Sequence, residues 1–319
     1  MRLPDFIIIG AAKAGTTSLY AMLEQHDDIF LPKIKEPEFF ARDDLYERGL
    51  ETYAQAFAPA GEEQITGEAS TLYSLSPLFP DTAARMKAAV PQVKLIYVMR
   101  HPVERAYSYY VQLVKNYQNS SGDTGVNRSF EEFALPKAHA QAAPRDQAFS
   151  HHDTHLPDTP ELCLAGSDYV TQIEAYLAHF PREQILFLTQ EDLRRDRVGT
   201  MRQITEFLGV SPLSDPVLSG GAAARNVSAT YFEDRGKRAA LRGIAKRLGP
   251  LWTLRKLLPA KLRHGLRGQA LNRVNPEPQI TAPPPMTPET RTALEARFAP
   301  MLPRLEALSG LTFEHWNLR

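Results

Sequence analysis

Phe6-Ile7-Ile8-Ile9 is an unbroken apolar run closed by Gly10, the pattern of a strand buried on both faces, as in a parallel sheet. Val93-Lys94-Leu95-Ile96-Tyr97-Val98-Met99 repeats it and is broken by Arg100-His101-Pro102. Gln184-Ile185-Leu186-Phe187-Leu188 gives a third strand, and Gln64-Ile65-Thr66-Gly67-Glu68 a further one. Helical stretches alternate with them. One opens at Thr16-Thr17-Ser18 and runs to about Gln25, one spans Val103 to about Lys115 with Pro102 near its first turn, and one spans about Val198 to Leu208. Strands separated by helices need crossover connections, so the expected class is α/β: a three-layer α/β/α arrangement around a central parallel sheet.

Residues 138–160 lack periodicity and read as a long loop, and six prolines between Pro276 and Pro288 mark an extended connector. Beyond it a C-terminal helix is expected at about 287–308, with Thr287 as N-cap and Pro288 at its first position. There is no internal repeat. The chain reads as a single domain over 1–319 carrying a helical insertion at about 230–275.

Charge singles out that insertion. The 319 residues hold 37 Lys and Arg against 37 Asp and Glu, with 43% apolar residues, an ordinary globular composition. Yet Arg235 to Asn275 contains twelve Lys and Arg and no acid, leaving 25 cations against all 37 acids elsewhere. Leu241, Ile244, Leu248, Leu251, Leu254, Leu257 and Leu258 recur there at helical spacing. Such a basic amphipathic pair suits an anionic membrane surface, a polyanionic partner or a cover over a substrate cleft; it equally suits an apolar stripe packed on the domain with solvated cations. Nucleic acid is not expected, because aromatic interleaving and a recognition motif are both missing. Cys163 is the sole cysteine, the apolar N-terminal run is too short for a signal peptide and no stretch approaches 18 apolar residues, so a cytoplasmic protein is expected, possible contact with a membrane surface aside.

The first strand leads into Gly10-Ala11-Ala12-Lys13-Ala14-Gly15 and then the helix start Thr16-Thr17-Ser18. Glycines let backbone fold around an anion, and the unpaired N–H groups of the helix start point at it. The phosphate loop of nucleotide hydrolases places Lys after its second glycine, whereas here Gly15 is followed by threonine and the lysine, Lys13, lies inside the loop. A ligand-free strand-to-helix turn would use the same glycines. An enzyme alternative is a phosphate-loop kinase or nucleoside triphosphatase, which needs a metal-ligating carboxylate at a strand end where this chain has Met99-Arg100. A non-enzyme alternative is a peripheral membrane or anion-binding module built on residues 235–275.

From Phe6 to Leu19 the chain resembles the 5′-phosphosulfate loop of sulfotransferases that use 3′-phosphoadenosine 5′-phosphosulfate (PAPS), in particular a bacterial branch similar to heparan-type glycan sulfotransferases. The resemblance continues in Lys35 to Phe40, Gly67 to Tyr73, Arg100 to Tyr110, Gly166 to Leu177 and Gly310 to Trp316, in the family's order. It implies a PAPS-dependent transferase releasing PAP, with a glycan, lipid-linked or small-molecule acceptor, no metal, and a loop of Lys13, Ala14, Gly15, Thr16, Thr17 and Ser18 around the donor.

The resemblance also assigns roles. Arg100 and Ser108, eight residues apart, would hold the 3′-phosphate, a guanidinium fork and a hydroxyl being suited to a dianion; a structural ion pair and a buried helix serine are the alternatives. Glu36 falls at the position of the general base, with Glu38 the competing carboxylate, and nearby aromatic rings are expected to raise a base's pKa. Arg225 falls where a basic residue closes over the 3′-phosphate, or else in a polar loop after Gly220-Gly221. Two departures stand out: Ala69 where many relatives carry Lys after Glu68, and Gln172 where relatives carry His. Both bear on the acceptor and the proton relay rather than on the donor. His139, His151, His152 and His155 lie in a Pro-rich loop, not as an i, i+4 pair on a helix, and are not read as metal ligands.

Overall fold

The structure is a computed structural model that describes residues 1–76, 78–121, 129–135, 160–213 and 283–318. The chain divides into two compact units: Met1–Tyr110 with Asp158–Arg225 and Met286–Arg319, and Val111–Pro157 with Asn226–Pro285. Arg225, the basic block and the four loop histidines lie outside the described residues.

The described residues of the first unit form five parallel strands, β1 (Phe6–Gly10), β2 (Ile29–Phe30), β3 (Ile65–Ala69), β4 (Lys94–Met99) and β5 (Ile185–Thr189), in the order β2-β3-β1-β4-β5. Every residue of β1 is buried, as is all of β4 after Lys94, which is why these strands read as unbroken apolar runs. β2 pairs only two residues with β3, too few for a period to show. Ile7 faces Glu68 across one ladder and Leu95 across the other, so β1 is the centre of the sheet.

Among the described residues the helices are α1 (Thr16–Leu23), α2 (Asp43–Tyr46), α3 (Leu50–Ala54), α4 (Thr82–Ala89), α5 (Pro102–Ser121), α6 (Phe130–Ala134), α7 (Pro160–Ala165), α8 (Tyr169–Leu177), α9 (Gln190–Arg195), α10 (Arg197–Leu208), α11 (Pro288–Phe298) and α12 (Leu302–Ser309). Short polar side chains start several of them: Asp196 accepts from the Gly199 N–H at 2.8 Å before α10, and Thr287 accepts from the Thr290 N–H at 3.2 Å before α11. The single C-terminal helix expected at 287–308 is two helices, separated by a turn at Ala299–Met301. Pro300 and Pro303 lack the N–H that a continuous helix requires, and their rings crowd the preceding turn. In the second unit α6 begins with a reciprocal cap, Ser129 and Glu132 each accepting the other's backbone N–H at 3.2 and 2.9 Å. No helix among the described residues is long and apolar enough to cross a membrane.

Gly67 shows how tightly β3 lies on β1. A methyl group there would fall well inside contact distance of the fully buried Phe6 ring. Gly67→Ala is expected to cost about 1–3 kcal/mol through overpacking and to lower the melting temperature by several degrees in a thermal scan.

Candidate active site

Neighbouring strands lie about 4.8 Å apart, so the sheet order fixes what stands side by side at its carboxyl edge. β3 ends at Glu68-Ala69 and leads into Ser70-Thr71, β1 leads into the Gly10–Gly15 loop, β4 leads into Arg100, and β5 into Gln190. In open α/β sheets ligands bind at this edge, where the connections diverge.

The loop after β1 is built for close approach. Lys13 and Gly15 have φ of 72° and 97°, and Gly15 caps α1 without a side chain over the helix's first amides. A Cβ on Gly15 would come 3.1 Å from the Gln190 amide, so glycine keeps that mouth open. Thr16 is buried, while Thr17 and Ser18 are half-exposed. The donor set (Lys13, helix amides and hydroxyls) suits a ligand that presents acceptor oxygens, as a phosphosulfate does.

Arg100 leans onto this loop: its guanidinium donates to the Lys13 carbonyl at 3.2 Å and lies 3.8 Å from Glu104. Burial pulls its pKa down against the pull of Glu104, yet an arginine stays charged. Its backbone is held by the Tyr169 hydroxyl, which donates to the Arg100 carbonyl at 2.6 Å and lies 3.3 Å from its N–H. Burial pushes Tyr169 up to about 12, keeping that hydroxyl protonated. Ser108 is half-buried on α5 one turn beyond Glu104, on the same helix face. The structure therefore joins Lys13 and Arg100 directly and sets Ser108 along the helix that Arg100 introduces.

The carboxylates gather on the other side of the loop. Glu36 and Glu38 have φ of 63° and 56°, a left-handed backbone uncommon outside glycine that persists only when surroundings enforce it. The enforcing contacts come from the end of β3 and the residue after it: the Glu36 N–H donates to the Ala69 carbonyl at 3.0 Å, and the Glu38 N–H to Ser70 Oγ at 3.0 Å. Glu36 Oε2 accepts the Thr71 N–H at 2.6 Å and its hydroxyl at 3.2 Å, while Oε1 pairs with Lys35. Glu38 lies deeper, 3.5 Å from Arg42, and burial followed by the charge of Glu36 raises its pKa. The larger upward shift belongs to fully buried Glu68, which desolvation pushes to about 7 despite hydrogen bonds from Tyr53 (2.6 Å), Tyr73 (2.8 Å) and Ser70 (2.9 Å). Phe39 stacks on Tyr53 with ring centroids 4.4 Å apart, closing an aromatic wall over it.

Three features escape sequence reasoning. Arg105 is 1% exposed and spends its guanidinium on the carbonyls of Ala12 and Cys163 and on Ser167 Oγ, bracing the loop from behind. Gly166 is the available sequence signal, since a Cβ there would collide with that guanidinium at 2.8 Å. Tyr169 and Glu68 lie inside the resembling stretches Gly166 to Leu177 and Gly67 to Tyr73, but nothing in their spacing marks them as the partners of the Arg100 backbone and of the Tyr53, Tyr73 and Ser70 hydroxyls. Gln172, set against the relatives' His, is a core residue: it accepts from the Tyr97 hydroxyl at 2.5 Å and donates to the Ala165 carbonyl at 2.7 Å.

The sulfotransferase domain family matches residues 3–237. The human bifunctional heparan sulfate N-deacetylase/N-sulfotransferase 3 is 34% identical over 220 residues, an alignment covering 66% of this chain and 23% of that protein. The heparan sulfate glucosamine 3-O-sulfotransferase 3A1 of Mus musculus is 32% identical over 209 residues, covering 66% and 46%. The chain thus spans about a quarter of the first relative and about half of the second. A crystal structure of a sulfotransferase from Alicyclobacillus acidocaldarius superposes with a TM-score of 0.63 at 26% identity, covering 99% of each chain.

Proposed function

The chain belongs to the sulfotransferase family, and from that premise we propose that it moves a sulfuryl group from PAPS to a hydroxyl or amine of an acceptor, for which a glycan is the favoured class. The observation that carries this reading is the order of β3, β1 and β4, which sets Glu36, the phosphate-type loop and Arg100 in a row along one sheet edge. The relatives named for heparan sulfate support a glycan; a lipid-linked or small-molecule acceptor is the alternative.

Bound PAPS would supply a sulfuryl group on a phosphate leaving group. Lys13, the Ala14–Gly15 backbone and the Thr16-Thr17-Ser18 helix start would hold its 5′ end. Arg100 and Ser108 would hold the 3′-phosphate, with Arg225 as a further cation. Glu36 removes the acceptor proton as oxygen or nitrogen attacks. Lys13 and the α1 amides counter the charge that grows on the departing phosphate oxygen, a stabilisation worth most in a water-poor site. A phosphate-loop kinase would need a carboxylate free for magnesium at these strand ends, but β4 gives Arg100 and the Glu68 oxygens are taken by three hydroxyls.

Calorimetry separates the two. PAP is expected to bind without magnesium and at least tenfold more tightly than ATP with magnesium, and labelled PAPS is expected to pass label to desulfated heparin or to an acceptor fraction of a cell extract. Preference for magnesium-ATP would favour the kinase.

A further inference from the structure

The loop bearing Glu36 has an unusual backbone, and two of the amide contacts that hold it, at Glu38 and Phe40, lead to one buried group. Ser70 Oγ accepts the Glu38 N–H at 3.0 Å and lies 2.9 Å from Glu68 Oε2. The Tyr73 hydroxyl accepts the Phe40 N–H at 3.4 Å and lies 2.8 Å from Glu68 Oε1, which also takes the Tyr53 hydroxyl at 2.6 Å. A hydroxyl has one proton. Once it is given to Glu68, the oxygen's lone pairs are directed at the amide.

We propose that Glu68 is a positioning residue: its carboxylate orients the Ser70 and Tyr73 hydroxyls, which hold the Glu38 and Phe40 amides and so fix the loop that presents Glu36. An ionised carboxylate accepts from all three hydroxyls at once. A protonated one carries its own hydrogen and gives up part of that capacity, so the clamp depends on charge. The titratable groups facing Glu68 are Tyr53 on α3, Tyr73, Tyr20 on α1, Tyr176 on α8, and Glu36. With a pKa raised to about 7 by burial, Glu68 ionises only as pH rises through neutrality. By linkage its contribution to stability is full below the ordinary carboxylate pKa and is lost as pH rises through 7, so the charge serves geometry at some expense of stability.

The proposal rests on Glu36 being the base, and its test has a readout independent of turnover. Amide hydrogen exchange is followed by mass spectrometry on peptides covering residues 35–41, with β1 and β4 peptides as controls. In Glu68→Gln and Ser70→Ala, exchange over 35–41 is expected at least tenfold faster with β1 and β4 unchanged, and Ser70→Thr is expected to restore protection. Glu68→Gln is expected to melt within a few degrees of wild type at pH 8 and to bind PAP within about threefold. Its kcat for transfer to desulfated heparin is expected to fall about 10- to 100-fold and to lose the decline that wild type shows as pH drops through 7. Unchanged protection over 35–41 in both variants overturns the proposal. If Glu68→Gln also deprotects β1, Ser70→Ala decides, and wild-type protection in that variant overturns it. Persistent turnover in Glu36→Ala would instead remove the base assignment and leave the exchange result standing.

Discussion

Glu36→Ala lowers kcat for sulfuryl transfer by about 10²–10⁴-fold, the usual contribution of a positioned general base, and leaves PAP affinity within about twofold. The asymmetry follows from placement. Glu36 hangs from the segment after β3, with its carboxylate on Thr71 and Lys35, whereas the proposed donor contacts belong to β1, α1 and β4. Single-turnover kinetics with labelled PAPS, paired with calorimetry of PAP, reads both quantities. A variant that keeps wild-type kcat places the base elsewhere, with Glu38 next. Glu38 is the less accessible of the two, its side chain 17% exposed against 30% for Glu36, and it is already paired with Arg42. Glu38→Ala is then the variant that would lose turnover.

Arg100→Ala weakens PAP binding by about 100-fold, because charge-assisted hydrogen bonds to a phosphate are lost and that phosphate is left without its counter-charge. Binding of the 5′-monophosphate changes by no more than a few-fold, since it lacks the phosphate that Arg100 is proposed to hold. The difference between the two nucleotides is the informative quantity. Arg100 also braces the Lys13 carbonyl, so some loss for both is expected from the loop alone. Equal losses would mean that Arg100 acts by bracing the loop and that the 3′-phosphate is held elsewhere. Arg100→Lys tests geometry against charge: the charge remains but the planar fork does not, and most of the discrimination is expected to go with it.

The carboxylate cluster shows where pattern reading stops. A raised pKa was expected for a base among aromatic rings, and the structure raises Glu38 and, further, Glu68. The aromatic residues after Glu36 do build the low-dielectric pocket, but they close it over the carboxylate on the neighbouring strand. Phe39, Phe40, Tyr53 and Tyr73 come from three separate segments, and their meeting around Glu68 is a matter of chain crossing rather than spacing. The same holds for Gln172. Its replacement of a relative's histidine suggested an altered relay, yet in this fold it ties the Tyr97 hydroxyl to the end of α7.

The sequence by itself determined the α/β class, the four longer strands, the phosphate-type loop with its internal Lys13, and the helix after Pro102. Each of these is written in local terms: an apolar run long enough to be an interior strand, glycines where φ must be positive, a proline where an N–H would be wasted. The tertiary structure decided the rest. Strand order put Glu36, Lys13 and Arg100 on one edge although 87 residues separate the last two. Prolines spaced three apart divided the last helix, and buried Arg105, Tyr169 and Glu68 found their hydrogen-bond partners in Ala12, Arg100 and Ser70. Buried polar groups must find partners, and those partners lie across the fold, where no periodicity along the chain records them.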